Sequence, residues 1–186
     1  MAAVMGAAPD VVAEACAKAA KTTGEVVTPA NYNSPQQTVI AGSTAGVEAA
    51  CEAAKEAGAK KTVPLPVSAP FHCALMEPAA QKLAPELGRL AFCDASPPVI
   101  TNVEAEPNAD GARIPDLLRE QVTAPVRFSD MIARMKALGV DGFVEVGPGR
   151  VLSGLIARIE RRARRANFSS PAELDDVREF IRGSAA

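Results

Sequence analysis

Tryptophan is absent from the 186 residues, histidine occurs once, and aromatic residues make up only 4%. So few rings exclude a base-stacking platform for single-stranded nucleic acid, which works through exposed aromatics. A net charge of −2 also argues against a polyanion, and no nucleic-acid partner is expected. The four cysteines, Cys16, Cys51, Cys73 and Cys93, form no Cys-x-x-Cys pair, and one histidine cannot complete a Cys/His zinc cluster. No metal is therefore expected. Dispersed thiols suit a reducing compartment, so a cytoplasmic location is expected. No apolar run reaches the ~18 residues that a membrane-spanning helix needs. The start, Met-Ala-Ala-Val-Met, lacks the basic region and long apolar stretch of a signal peptide. No membrane partner is expected.

What is present is an ordinary globular composition, 48% hydrophobic and 23% charged, enough for a core without disulfide staples. The first 66 residues alternate between two periodicities. Ala2 to Met5 reads as a strand. Pro9 to Lys21 reads as a helix with Val12, Ala15, Cys16 and Ala19 on one face, stopped by Gly24. Val26 to Ala30 and Thr38 to Ala41 read as strands around a turn at Asn31-Tyr-Asn-Ser-Pro35. Thr44 to Ala57 reads as a helix with Ser43 as N-cap and Gly58 at its end. Lys61 to Leu65 reads as a last strand. The order β-α-β-β-α-β predicts a ferredoxin-like subdomain over residues 1–66.

Beyond Pro64 and Pro66 the pattern changes to another α/β unit, assigned to residues 67–186. It predicts helices over Leu75–Leu90 (interrupted by Pro85), Ile114–Val122, Phe128–Leu138, Val151 to about Arg165, and Pro171–Ile181. Strands are predicted over Val99–Val103 and, buried, over Gly142–Val146.

His72 sits between a strand and a helix, in Pro66-Val-Ser-Ala-Pro-Phe-His-Cys73. Loops of that kind present catalytic groups from a rigid scaffold, and imidazole is the side chain suited to proton transfer near neutrality. The bland alternative is a hydrogen-bonded surface histidine. A nucleophile on a Gly-x-Ser-x-Gly elbow is absent; the nearest string, Ala41-Gly-Ser-Thr-Ala-Gly46, suits a helix N-cap. Cys73 is disfavoured as a nucleophile because adjacent residues on an extended loop point apart. Gly147-Pro-Gly149 resembles a phosphate cradle only loosely, and a tight strand-to-helix turn is the simpler reading. Arg158, Arg161, Arg162, Arg164 and Arg165 crowd the helix predicted after it. They form either a solvated face or a docking patch for an acidic protein.

Four ordered segments together resemble the malonyl-CoA:acyl carrier protein transacylases of fatty-acid synthesis. They are Asn31-Tyr-Asn-Ser-Pro-Gln36 with Val39-Ile-Ala-Gly42, Pro64 to Met76 around His72, Gln121-Val-Thr-Ala-Pro-Val126, and Phe143-Val-Glu-Val-Gly-Pro-Gly-Arg-Val-Leu-Ser-Gly154. The resemblance implies a ferredoxin-like small subdomain beside the C-terminal half of an α/β-hydrolase-like large one. It implies that His72 is the general base and acid, that the Gln121 backbone carbonyl orients its ring, and that Phe71 faces the acyl pocket. It also implies that the serine nucleophile, oxyanion segment and carboxylate-binding arginine belong to a segment preceding Met1, which would be a further partner. Malonyl-CoA and acyl carrier protein would be the partners, the latter docking near Arg158, Arg161, Arg162 and Arg165. No cofactor is expected, since coenzyme A and phosphopantetheine arrive with the substrates. The chain by itself is expected to be inactive and to expose apolar faces. A different class of function, a non-catalytic module that binds acyl carrier protein, would also account for the missing serine.

Overall fold

The computed structural model describes residues 1–183, and its first elements follow the predicted alternation. They are β1 (Ala2–Met5), α1 (Pro9–Thr23), β2 (Val27–Ser34), β3 (Gln37–Gly42), α2 (Thr44–Glu56) and β4 (Lys61–Pro64). The strands form one sheet in the spatial order β2-β3-β1-β4, every neighbour antiparallel. That is the ferredoxin-like arrangement.

Local chemistry accounts for each boundary. Pro9 opens α1, where its missing N–H costs nothing. Gly24 closes it in the left-handed region (φ 73°), donating its N–H to the Ala20 carbonyl. The Ser43 hydroxyl caps α2 by accepting from Gly46 N–H at 3.1 Å. Val12, Ala15, Cys16 and Ala19 of α1 and Val47, Ala50, Cys51 and Ala54 of α2 are buried, in one core with Val4, Val27 and Ile40. At Gly42 a Cβ would fall 2.0 Å from the Val26 carbonyl oxygen, so only glycine lets β3 pass that backbone. Pro29 and Pro64 lie on β2 and β4, the two edge strands, where a missing N–H breaks no central ladder.

The turn predicted over residues 31–35 is corrected. β2 continues through Ser34, and the chain reverses only at Pro35-Gln36. Register shifts between Pro29 and Asn31 and between Tyr32 and Ser34 absorb the turn-forming residues as bulges.

After β4 come a 3-10 turn at Ala74–Met76, α3 (Glu77–Leu87), the short antiparallel pair β5 (Val99–Ile100) and β6 (Pro107–Asn108), and α4 (Ile114–Glu120). Pro85 does not split α3, which runs through it to Leu87. The strand predicted over Val99–Val103 shrinks to two residues. Its chain turns instead at Thr101, whose carbonyl accepts from Ala105 N–H at 2.9 Å. Next is α5 (Phe128–Ala137).

The described chain separates into two compact units, one covering Met1–Met131 and one beginning at Ile132. The second holds β7 (Gly142–Val146), α6 (Val151–Ile159), β8 (Arg164–Phe168), a 3-10 turn at Pro171–Glu173 and α7 (Leu174–Arg182). β7 and β8 pair in parallel, Gly142 opposite Arg164 through Val146 opposite Phe168. Two expectations are overturned here. β7 is not buried: its first four residues are partly exposed and Val146 is 74% exposed. And the arginines do not share one helix. α6 ends at Ile159, Glu160 is extended, Arg161 and Arg162 lie in a turn, and Arg164 and Arg165 begin β8. A helix through Arg165 would stack like charges at three- and four-residue spacing. As built, Arg165 Nη1 donates to the carbonyls of Ala163 (2.6 Å) and Glu160 (3.3 Å). Arg164 lies 4.4 Å over the Phe180 ring and donates to the Phe180 carbonyl, tying α7 to β8.

Candidate functional site

His72 follows β4 on a loop that is anchored one residue later. Cys73 is buried, its Sγ donates to the Pro70 carbonyl at 3.1 Å, and it packs with Ala30 and Ala41 of the sheet. A thiol so placed anchors the loop to the sheet. His72 itself has φ 61°, in the left-handed region. For a residue other than glycine that conformation costs about 1–3 kcal/mol and collects at functional sites.

The ring is held from across the fold. His72 Nδ1 lies 2.8 Å from the backbone carbonyl oxygen of Gln121, the residue after α4. A carbonyl only accepts, so Nδ1 carries the proton and the neutral ring keeps its lone pair on Nε2. The carbonyl is available because a helix leaves its last carbonyls without intrahelical donors. The segment after Gln121 is fixed to β2: Val126 N–H donates to the Ala30 carbonyl and Tyr32 N–H to the Val126 carbonyl, both at 2.8 Å. His72, Ala74, Glu77, Thr123 and Pro125 line an open cavity of ≈ 580 Å³ with Thr28, Pro29 and Tyr32. Its chemistry is that of one oriented imidazole in a mostly apolar wall.

The structure therefore brings His72 and Gln121 together. Phe71 is 41% exposed beside them and is not among the residues lining this cavity. Sequence reasoning missed Asn102, whose Nδ2 donates to Gln121 Oε1 at 2.9 Å, and Arg127, which donates to the Glu104 carbonyl at 3.1 Å and pairs with Asp130 at 2.8 Å. No local signal marks Asn102, whose partner lies 19 residues away. Among the described residues no cluster of three or more His, Cys, Asp or Glu side chains could hold a metal. None of the helices described is long and apolar enough to cross a membrane.

In the second unit the turn at Gly147-Pro148-Gly149 holds no open anion cradle. The Glu145 carboxylate accepts from the N–H groups of Leu152 (3.0 Å) and Ser153 (2.7 Å) at the start of α6, and from Asn167 Nδ2 (3.2 Å). Desolvation pushes this carboxyl up, but the hydrogen bonds from Ser153, Leu152 and Asn167 together outweigh it and hold it below its ordinary range. The helix end that would attract a phosphate is already satisfied from within the chain.

Comparison with known proteins agrees along nearly the whole chain. The model of the acyl transferase domain family matches residues 1–172. The malonyl CoA-acyl carrier protein transacylase of Salmonella typhimurium is 45% identical over 174 residues, which are 94% of this chain and 56% of that protein. The crystal structure of an acyl carrier protein S-malonyltransferase from Vibrio cholerae superposes with a TM-score of 0.91 at 46% identity, covering 95% of this chain and 57% of that one. A malonyl-transacylase solved in complex with its type II PKS acyl-carrier protein gives a TM-score of 0.92 at 39% identity, covering 96% and 57%. This chain thus spans about half the length of the relatives it matches. It belongs to the acyl transferase domain family, alongside relatives named as malonyl CoA-acyl carrier protein transacylases.

Proposed function

We propose that the chain supplies the acid–base half of an active site that moves a malonyl group from malonyl-CoA to acyl carrier protein. The observation that carries this reading is the His72 Nδ1–Gln121 carbonyl hydrogen bond at 2.8 Å beside an open cavity. Fixing the proton on Nδ1 leaves Nε2 as the base. There it takes the proton of a serine hydroxyl as the oxygen attacks the malonyl thioester carbonyl. The thioester bond breaks, and the same proton passes from Nε2 to the departing coenzyme A thiolate. In the second half-reaction Nε2 accepts the proton of the carrier's phosphopantetheine thiol, whose sulfur takes the acyl group from the serine. That proton then returns to the serine oxygen. No metal or redox group enters these steps.

The serine is not among these 186 residues, so the reading requires it from a further segment, and the chain alone is inactive. Functionally we divide the chain at 66/67, with residues 1–66 as the small subdomain and 67–186 as part of the large one. The sheet that closes at Pro64 supports that division. Phe71, next to His72, borders the acyl-binding region. Acyl carrier protein docks near Arg158, Arg161, Arg162 and Arg165. The solved complex of a similar transacylase with its carrier supports such a partner, and Arg158, Arg161 and Arg162 are exposed.

The test is the intact mass of the purified chain after brief exposure to malonyl-CoA, with and without the part of the Salmonella relative that this chain does not match. No adduct on this chain, and malonyl on the supplied half only when both are mixed, is the expected result. A stable malonyl adduct on this chain alone would overturn the reading.

A further inference from the structure

We propose that Asn102 is a positioning residue for the acid–base site: its side-chain amide holds Gln121, and through the Gln121 backbone it sets which nitrogen of His72 carries the proton. The inference rests on the reading of His72 as the acid–base group. It goes beyond that reading by giving the Gln121 side chain a task, where a backbone carbonyl alone would leave it dispensable.

The Gln121 carbonyl is a soft point to hang an imidazole from. It belongs to the residue after α4, where helix hydrogen bonding is running out. Gln121 N–H still donates to the Leu117 carbonyl at 3.1 Å, while the next turn's amides, Thr123 and Ala124, both donate to Glu120 instead. The peptide plane that presents the carbonyl to His72 has one backbone restraint of its own, a three-residue bond from Val122 N–H to the Arg119 carbonyl at 3.2 Å, and the Gln121 side chain provides the second. Asn102 Nδ2 donates to Gln121 Oε1 at 2.9 Å, in a half-buried setting where an amide pair outcompetes water better than on the open surface.

Asn102 is well placed to act as a fixed post. Its own turn is closed by Thr101 N–H donating to the Glu106 carbonyl (3.1 Å) and by Ala105 N–H donating to Thr101. Ala105, at the turn's corner, is buried with φ 56°. The backbone of Asn102 also accepts from Arg127 N–H at 3.2 Å, and Arg127 Nη1 donates to the Glu104 carbonyl at 3.1 Å. One turn, residues 101–106, therefore fixes both ends of the 121–127 segment: Gln121 through the Asn102 side chain and Arg127 through main-chain carbonyls. The opposite side of that segment is bonded to β2. With both sides fixed, the direction of the Gln121 carbonyl is fixed too, and with it the tautomer of His72.

His72 is the only histidine, so its ring nitrogens are unambiguous in a nitrogen-15 NMR spectrum of the whole chain. In alkaline buffer the neutral ring of the parent chain should be mostly in the Nδ1–H form. Asn102→Ala should shift the tautomer ratio toward Nε2–H by about 2- to 10-fold, the factor that one ordinary hydrogen bond is worth. Gln121→Ala, which keeps the backbone carbonyl and Asn102, should shift it equally, and the double variant no further. Gln121→Glu, which still accepts from Asn102, should restore the parent ratio. Val99→Ala, three residues before Asn102 and 57% exposed, controls for general loosening and should leave the ratio alone. Unchanged tautomers in Asn102→Ala and Gln121→Ala would overturn the proposal, as would an equal shift in Val99→Ala. Should Asn102→Ala fail to fold, the Gln121 variants decide alone. The readout needs no transfer activity, so it separates this inference from the catalytic reading: a tautomer shift in a site that proves inert would sink the latter only.

Discussion

The two units of this chain are built from similar residues and end up differently covered. In the first, the four-stranded antiparallel sheet has a complete core: Val4, Val12 and Ile40 are wholly inaccessible, and α1 and α2 cover one face. In the second, β7 and β8 are a parallel pair whose residues remain half-exposed, and Val146 and Val151 are more than 70% exposed. Parallel strands are ordinarily buried on both faces, which is why Phe143-Val-Glu-Val146 reads as a core strand. The comparison shows that an apolar pattern states what a strand requires and says nothing about whether the covering layer is within the same stretch of chain.

That contrast can be broken by mutation. The largest expected effect is at Ile40, where replacement by alanine should cost about 2–5 kcal/mol in urea-induced unfolding, from lost burial plus a cavity. A cost under about 1 kcal/mol, the range of exposed sites, would mean that the sheet core is loose. Next come the two helix caps. Ser43→Ala should cost about 1 kcal/mol by removing the acceptor of Gly46 N–H. Glu145→Gln should lower the denaturation midpoint reported by the second unit and remove part of its acid sensitivity. The sign follows from the lowered carboxyl pKa: the stabilisation is present above the ordinary carboxylate range and is lost as pH falls through the lowered value. Equal midpoint loss on acidification in parent and variant would count against the Glu145 staple. A probe at alkaline pH sharpens the comparison from the other side. Burial, with a smaller contribution from Cys51, pushes the Cys16 thiol from 9.0 up to about 12. The first unit should therefore lose stability as pH rises through that interval, and Cys16→Ala should blunt the loss. The smallest effect is at Val151, where alanine should change stability by less than about 0.5 kcal/mol.

How much of this was legible in the residues depends on the distance over which the decisive contact acts. The first six elements were readable because their signals are local: Gly24 stops α1, Ser43 caps α2 three residues away, and the buried faces recur at helical spacing. The turn over residues 31–35 misled because bulges let turn-forming residues stay in a strand. The Arg164–Arg165 helix misled because periodicity does not reveal a parallel pairing with residues more than 20 positions upstream. At the site, His72 stood out as the lone histidine on a strand-to-helix loop, whereas its partner Gln121 was reached only through family resemblance. Asn102 was invisible, since an isolated asparagine after a short strand carries no mark of its partner. Glu145 was invisible as a cap because it lies before the glycine turn, seven residues from the first amide it satisfies.

The most direct test of the central claim joins the part of the Salmonella relative that this chain does not match to this chain, ahead of Met1, in one polypeptide. Malonyl transfer to acyl carrier protein is then compared with and without His72→Ala. The account predicts transfer in the parent fusion and a loss of about 10²- to 10⁴-fold in the variant, the range for a positioned acid–base group. Equal transfer rates in the two would contradict it.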